Sequence, residues 1–124
     1  MAETNEFAAL GHSGPEAYVG LESFENPGVS RVEMTSDELT AVCPITGQPD
    51  LYLASIVYEP ERLCLESKSL KIYLSGYRNE GAFCEALAVR IRDDVAEVLE
   101  LPHARVHVTL TQKARGGITI TAAT

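Results

Sequence analysis

The strongest constraint on the fold is one long apolar stripe in the second half of the chain. Between residues 81 and 99, apolar side chains recur at the spacing of a single helix face, while charged side chains stay mainly on the other side. The stripe consists of Phe83, Leu87, Ile91, Val95 and Val98. Pro102 follows and cannot continue a helix. We therefore predict an amphipathic helix over residues 81–99, which needs a sheet to cover its apolar face.

The segments before this helix have the composition of strands. Residues 30–35 alternate polar with apolar side chains, and residues 51–58 are rich in β-branched and aromatic types and stop at Pro60. Residues 66–74 are rich in leucine and lysine, which favours a shorter helix with Ser67 as its N-cap. The predicted order up to this point is strand, strand, helix, helix.

Two further strands are expected after the long helix. Apolar residues alternate with polar ones from Val106 to Leu110, and the same pattern returns at residues 118–120 after a pair of glycines. The chain is therefore predicted to be α+β, with a four-stranded antiparallel sheet covered on one face by two helices in ββααββ order. Residues 1–29 carry much of the glycine and proline and are predicted to be an irregular arm before a single domain over residues 30–124. A sheet with one uncovered face and two edges predicts association into an oligomer.

Composition narrows the functional classes. The 124 residues suit one compact domain, and a formal net charge of −8 argues against a nucleic-acid surface, which needs a basic face. A small-molecule partner is therefore expected. No apolar run approaches the roughly 18 residues of a membrane span, and the first six residues are acidic where a signal peptide is basic. These features predict a cytoplasmic protein.

The three cysteines, Cys43, Cys64 and Cys84, lack the spacing of a zinc site. Cys43 opens the turn-rich run CPITGQPD over residues 43–50, which ends in Asp50. The turn can bring the thiol and the carboxylate into one pocket as nucleophile and acid, provided that a cation, a helix N-terminus or a base lowers the pKa of the thiol. The residues alone equally allow a buried thiol and an ordinary turn aspartate.

Three separated motifs together resemble a known family. They are CPITGQPD at residues 43–50, ESKSLK at residues 66–71 and RGGI at residues 115–118. In matching order over residues 38–121, they resemble the short, single-module form of the 7-cyano-7-deazaguanine reductases. The resemblance implies a tunnelling-fold subunit, with pentamers paired into a decamer and active sites at subunit interfaces.

The resemblance also implies a reaction. Family members reduce the nitrile of the free base 7-cyano-7-deazaguanine to a primary amine with two NADPH, on the route to the queuosine base of transfer RNA. Cys43 is then the nucleophile that forms a covalent thioimide, and Asp50 is the proton donor. A protonated thioimide is a better electrophile than a nitrile, which gives the covalent step a chemical reason.

The same resemblance assigns the binding residues. Lys68, Lys71 and Arg115 are assigned to the phosphates of NADPH, and cations of this kind suit phosphate oxygens. Since no GxGxxG run is present, a Rossmann-type grip is not expected. Glu85 is assigned to the guanine edge of the substrate, and Ser67 to a smaller substrate contact.

One position departs from the family pattern. The residue before the substrate glutamate is often histidine, but this chain has Cys84, which donates weakly and carries no positive charge at neutral pH. We expect Cys84 to be a small packing residue of the substrate site that is able to pair oxidatively with Cys43. Cys64, between two leucines, is expected in the core.

Three other functions compete with reduction. An archaeosine-type enzyme shares the thioimide step but adds ammonia, so it does not need the three predicted phosphate-binding cations. A zinc-dependent pterin cyclohydrolase of the same fold needs a Cys/His metal set, whose spacing the sequence lacks. A non-catalytic purine-binding subunit retains a use for Glu85 but not for Cys43. The sequence favours the reductase.

Overall fold

The computed structural model describes residues 20–124. Within them lie six strands and two α-helices, with a short 3₁₀ helix at His103–Arg105. The strands are β1 Ser23–Glu25, β2 Val32–Val42, β3 Pro49–Tyr58, β4 Leu63–Leu65, β5 Val106–Arg115 and β6 Ile118–Ala123. The helices are α1 Ser67–Ser75 and α2 Cys84–Leu99.

Four of the strands form the predicted antiparallel sheet. Its strand order is β2-β3-β5-β6, and both helices lie in the chain between β3 and β5. The α+β class with a four-stranded sheet and two helices is therefore confirmed. None of the helices in residues 20–124 is both long and apolar enough to span a membrane.

The sheet buries one face against the helices. In β3 the buried positions alternate with exposed ones, so Asp50, Tyr52 and Ala54 face inward, whereas Leu51 and Leu53 remain about half exposed at 48% and 49%. On α2, Leu87, Ile91 and Val95 are almost completely buried in the same core. These three confirm the apolar stripe that predicted the helix.

The start of α2 differs from the prediction. The helix begins at Cys84 rather than at residue 81, and Phe83 is its N-cap residue, with 56% of its surface exposed. Phe83 was thus wrongly placed on the buried stripe, and Val98 is only partly buried. The physical reason lies in the preceding segment, where Gly81 forms a bridge with Val42 and keeps the chain extended up to the helix.

Two short strands were not predicted. Ser23–Glu25, within the predicted irregular arm, pairs antiparallel with Leu63–Leu65 in a separate two-stranded sheet. Three residues are too few to show an alternating pattern, which explains why the sequence did not reveal them. Residues 1–19 of the predicted arm lie outside the described residues, and the boundary at residue 30 stays a prediction.

Strand β2 is longer than predicted. It starts at Val32 and continues to Val42, with a register irregularity between Ser36 and Leu39. Such an irregularity interrupts the alternation of side chains between the two faces, so the pattern in the sequence stops early. The extension carries the strand directly to Cys43.

The N-cap of α1 is Glu66 and not Ser67 as predicted. The carboxylate of Glu66 accepts hydrogen bonds from the backbone N–H groups of Ser69 at 2.7 Å and Lys68 at 2.9 Å. The hydroxyl of Ser69 donates to the Glu66 carbonyl at 2.8 Å and accepts from the Glu22 backbone N–H at 2.9 Å. This buried cluster fixes α1 against the segment that leads into β1.

We expect Glu66→Ala to lower the free energy of unfolding by about 1–2 kcal/mol, because two N–H groups at the start of α1 lose their acceptor. The measurement is a urea titration followed by circular dichroism. The matched control is Glu97→Ala, which removes an exposed carboxylate from α2 and is expected to change stability by less than about 0.5 kcal/mol. Equal midpoints for the two variants would show that Glu66 contributes no cap.

Candidate active site

The site is built around the turn that joins β2 to β3. The backbone N–H of Cys43 donates to the Gln48 carbonyl at 2.8 Å, and the N–H of Gly47 donates to the Cys43 carbonyl at 2.8 Å. Gly47 has a φ of +73°, a left-handed conformation that glycine adopts without strain. The turn therefore closes tightly and leaves the side chain of Cys43 partly exposed at its base.

The beginning of α2 is held next to this turn by Val42. The N–H of Val42 donates to the Glu80 carbonyl at 3.0 Å, and the Val42 carbonyl accepts from the Ala82 N–H at 3.2 Å. The two hydrogen bonds fix the chain two residues before α2 to the residue before Cys43. As a result, the first turn of α2, which carries Cys84 and Glu85, starts beside the turn that carries the thiol.

Asp50 lies at the other end of the turn. It follows Pro49 in β3, is only 5% exposed and points to the helix-covered face. Its Oδ1 accepts a hydrogen bond from Nη1 of Arg115 at 3.1 Å. The guanidinium also donates to the Pro49 carbonyl at 2.8 Å and to Oε1 of Gln48. The predicted acid therefore has a cation as its direct partner.

The Cys43 thiol is stabilised in its ionised form by Thr46. The backbone N–H of Thr46 lies 3.5 Å from the Cys43 Sγ and donates to it. Hydrogen bonds from the Thr46 side chain and then from the Thr46 and Ile45 backbone lower the pKa of the thiol, while burial and the negative charge of Asp50 act in the opposite direction. From the sequence we expected a cation, a helix N-terminus or a base to lower the pKa of this thiol. In the structure, hydrogen bonds within the turn lower it instead.

Tyr52 lies near four of the predicted site residues. Its hydroxyl donates to Oε1 of Gln112 on β5 at 3.4 Å. Burial raises the pKa of this phenol to about 12, and smaller contributions come from the nearby Cys84, Asp50, Glu85 and Cys43. These four side chains thus lie close enough to act electrostatically on one tyrosine. The sequence did not indicate a site role for Thr46, Tyr52 or Gln112. Tyr52 in particular has the pattern of a core position, because it is a tyrosine in a predicted strand.

Glu85 and Cys84 differ in accessibility although they are adjacent. Glu85 is exposed in the first turn of α2. Cys84 is 2% exposed, its Sγ donates to the Leu110 carbonyl at 3.7 Å, and burial raises the pKa of its thiol. This environment supports the expected packing role. All three cysteines are free, and Cys64 is in the core as predicted.

Two of the three predicted cofactor residues, Lys71 and Arg115, line different clefts of the chain. Ser67 and Lys71 line a cleft of about 600 Å³ between α1 and β2. Arg115, together with Gln48 and Lys113, lines a second cleft of about 560 Å³ at the β5–β6 hairpin. Lys68 is a partly buried residue of the first turn of α1. A single chain therefore does not bring Lys71 and Arg115 into one cleft.

Residues 20–124 contain no cluster of metal-binding side chains. No group of three or more His, Cys, Asp and Glu side chains is arranged there to hold an ion. The chemistry that the described residues offer is that of a nucleophilic thiol beside a carboxyl group.

The fold resembles that of a known class of proteins. A crystal structure of an archaeosine synthase described as QueF-Like, in the apo form, has a TM-score of 0.70 to this chain and 23% sequence identity. The alignment covers 78% of this chain and 93% of that chain. At this identity the likeness shows the fold alone, which is that of a tunnelling-fold subunit.

The sequence comparisons then define the family. The family model described as QueF-like protein matches residues 49–124. Proteins of Chlorobium chlorochromatii and Rhodopirellula baltica are each 45% identical to this chain, over 104 and 101 residues. Both are named NADPH-dependent 7-cyano-7-deazaguanine reductase, and the alignments cover 82% and 79% of this chain and 88% and 82% of the relatives. The chain belongs to the QueF-like family.

We predict that Thr46→Val slows alkylation of Cys43 by iodoacetamide at pH 7 by about threefold and moves the half-maximal rate to higher pH. The thiolate is the reactive form, and loss of the Thr46 hydroxyl raises the thiol pKa and so reduces the thiolate fraction. Mass spectrometry of the Cys43 peptide measures the rate. Thr46→Ser, which retains the hydroxyl, should behave like the wild type, and an unchanged profile in the valine variant would contradict the assignment.

Proposed function

We propose that this protein reduces the nitrile of 7-cyano-7-deazaguanine to the primary amine of 7-aminomethyl-7-deazaguanine with NADPH, in the synthesis of the queuosine base of transfer RNA. The observation that carries the proposal is the partly exposed Cys43 thiol, with its lowered pKa, at the start of the turn that ends in the buried Asp50. Relatives that are 45% identical carry the name of this reaction. The three free thiols are consistent with a reducing cytoplasm as the place of action.

The covalent step needs only residues of the turn. The Cys43 sulfur attacks the nitrile carbon, a new S–C bond forms, and one π bond of the nitrile breaks toward its nitrogen. The Asp50 carboxylate takes up the thiol proton as the sulfur attacks and passes it to that nitrogen. The overall addition is therefore neutral and yields a thioimide.

The substrate ring has a suitable partner in Glu85. Its exposed carboxylate at the start of α2 is able to accept hydrogen bonds from the N–H groups along the amidine-like edge of the guanine ring. Ser67, at the cleft beside α1, is proposed as a smaller contact. Cys84 forms part of the wall behind Glu85, because its side chain is buried and directed toward Leu110.

The described cations fit a phosphate-bearing cofactor. Lys71 and Arg115 each line a cleft large enough for part of a dinucleotide, and Lys68 lies one turn from Lys71 on α1. When bound, NADPH supplies the reducing equivalents, two molecules for the four electrons that separate a nitrile from an amine. The three cations are proposed to hold its phosphates.

Assembly of several subunits completes this arrangement. Lys71 lies beside β2 at one edge of the sheet, and Arg115 lies next to β6 at the other edge. In a ring formed by edge-to-edge association, Lys71 of one subunit approaches Arg115 of its neighbour. Leu51 and Leu53 lie on the uncovered face of the sheet, which such a ring turns toward its central tunnel. Paired pentamers, giving a decamer, are the proposed form.

One alternative has a specific observation in its favour. The solved structure that shares this fold is described as an archaeosine synthase. The alternative is therefore the amidine-forming, archaeosine-type reaction, which would use the same Cys43 and Asp50 step. That reaction consumes ammonia and leaves NADPH unchanged. A non-catalytic purine-binding subunit would form no covalent bond at all. The next experiment separates the three.

We predict that incubation with 7-cyano-7-deazaguanine adds the mass of one substrate molecule to each subunit, and that NADPH is then oxidised in a ratio of about two per nitrile. Cys43→Ala abolishes both signals because the nucleophile is missing. Asp50→Asn is expected to retain substrate binding but to lose turnover by roughly 100-fold or more, because its amide cannot deliver the proton.

Each alternative gives its own result in the same assay. An adduct without NADPH oxidation, together with ammonia-dependent amidine formation, would indicate the archaeosine-type reaction. Binding without an adduct would indicate the non-catalytic subunit. Wild-type turnover in Asp50→Asn would remove Asp50 from the acid role.

We also predict complementation between two inactive variants. If Cys43 and Lys71 serve one site from different subunits, co-expression of Cys43→Ala with Lys71→Gln restores about a quarter of the wild-type turnover, since random assembly leaves that share of interfaces intact. NADPH oxidation by the mixed assembly is the measurement. Turnover that stays at the level of the separate variants would place both residues of one site on the same chain.

A further inference from the structure

We propose that Arg115 is a positioning residue for the turn over residues 43–50, in addition to the cofactor contact that the proposed function gives it. This inference rests on the proposed function for the reaction it assists. Its physical basis is the set of contacts that the guanidinium makes within the chain. They link the last hairpin to three consecutive residues at the far end of the turn.

Three hydrogen bonds hold the guanidinium of Arg115 in one orientation and use only some of its N–H groups. Nη1 donates to the Pro49 carbonyl at 2.8 Å and to Oδ1 of Asp50 at 3.1 Å, while Nη2 donates to Oε1 of Gln48. A guanidinium has five N–H groups, and these contacts use three of them. The other two have no hydrogen-bond partner within residues 20–124. The same side chain is therefore able to hold the turn and still bind a phosphate oxygen.

The sequence around Arg115 favours this orientation. The pairing of β5 with β6 is irregular between Gln112 and Arg115, and Gly116 and Gly117 follow with φ of +61° and +82°. An irregularity of this kind bends a strand and re-aims its side chains. At the tip of this hairpin it directs Arg115 across the end of the sheet toward β3.

Asp50 needs such a partner more than a surface carboxylate does. It is 5% exposed, and a buried carboxylate without a cation or several donors is strongly destabilised. The negative charge of Asp50 also opposes ionisation of the Cys43 thiol. The positive charge of Arg115 offsets that effect. The guanidinium thus holds the Asp50 carboxylate in place and at the same time favours ionisation of the Cys43 thiol.

The ionisable groups that pair with or act on Cys43, Asp50 or Tyr52 come from three elements. Asp50 and Tyr52 lie on β3, Arg115 lies on β5, and Cys84 and Glu85 lie on α2. Among these groups only Arg115 is positively charged at neutral pH. Its removal is therefore expected to disfavour the Cys43 thiolate, because none of the other groups named here supplies a positive charge in its place.

The test uses the full-length chain and two probes of Cys43. The first is the pH profile of iodoacetamide alkylation at the Cys43 peptide. The second is the rate of adduct formation with 7-cyano-7-deazaguanine in the absence of NADPH, so that a loss of cofactor binding has no influence. The variants are Arg115→Gln, Arg115→Lys, Asp50→Asn and the Gln/Asn double variant, with Arg62→Gln as a control for loss of an exposed arginine.

Arg115→Gln is expected to move the alkylation midpoint up by about half a pH unit to one unit and to slow adduct formation roughly tenfold. In the Asp50→Asn background the same change should move the midpoint by a similar amount, because the charge of Arg115 acts on the thiolate whether or not Asp50 is charged. It should slow adduct formation by less than about twofold there, because the carboxylate that Arg115 positions is gone. Arg115→Lys retains the charge but not the contacts, so its midpoint stays near the wild type while its adduct rate falls. Arg62→Gln matches the wild type in both assays.

The outcomes separate this inference from the proposed function. If Arg115→Gln, or Arg115→Lys should the first variant not fold, matches the wild type in both assays, the positioning role is overturned and the reduction is unaffected. An equal loss of adduct rate with and without Asp50 would also overturn it. If the wild type forms no adduct while the midpoints change as expected, the proposed function fails and the positioning of the turn is supported.

Discussion

The ion pair between Asp50 and Arg115 is the interaction on which the site depends. Strand register turns Asp50 inward, toward the helix-covered face, where a carboxylate is costly unless a cation meets it. The partner comes from 65 positions further along the chain, at the tip of the last hairpin. The contact therefore depends on the pairing of β3 with β5, and it fixes the end of the turn that presents Cys43.

The reactivity of the thiol has a more local origin. Hydrogen bonds from Thr46 lower the pKa of Cys43, and the turn that supplies them is closed by the Cys43 and Gly47 backbone. The hydrogen bonds of Val42 to the chain before α2 bring Glu85 next to this turn. The proposed nucleophile, acid and substrate carboxylate are thus positioned by three kinds of constraint, namely a turn, a strand register and a bridge to a helix start.

The sequence predicted the parts of the fold that repeat. Leu87, Ile91 and Val95 indicated α2, and the alternating strands indicated the sheet. It did not predict the Ser23–Glu25 strand, which is too short to show a period, or the Glu66 cap, because Ser67 is the more usual capping type next to it. The Cys43 and Asp50 pair was visible as a motif. The contact of Arg115 with Asp50 was not, since residues this far apart meet only through tertiary structure.

Tyr52 and Thr46 illustrate the same limit within the site. Each has an ordinary reading in the sequence, as a strand aromatic and a turn residue, and only the structure places them beside the thiol and the carboxyl groups. The central claim is that Cys43 bonds covalently to the nitrile carbon, and a crystal structure of the chain soaked with 7-cyano-7-deazaguanine tests it most directly. The account predicts continuous electron density from the Cys43 Sγ to that carbon, with Glu85 on the guanine edge. An intact nitrile bound without a bond to sulfur, in a protein that still oxidises NADPH with this substrate, would contradict it.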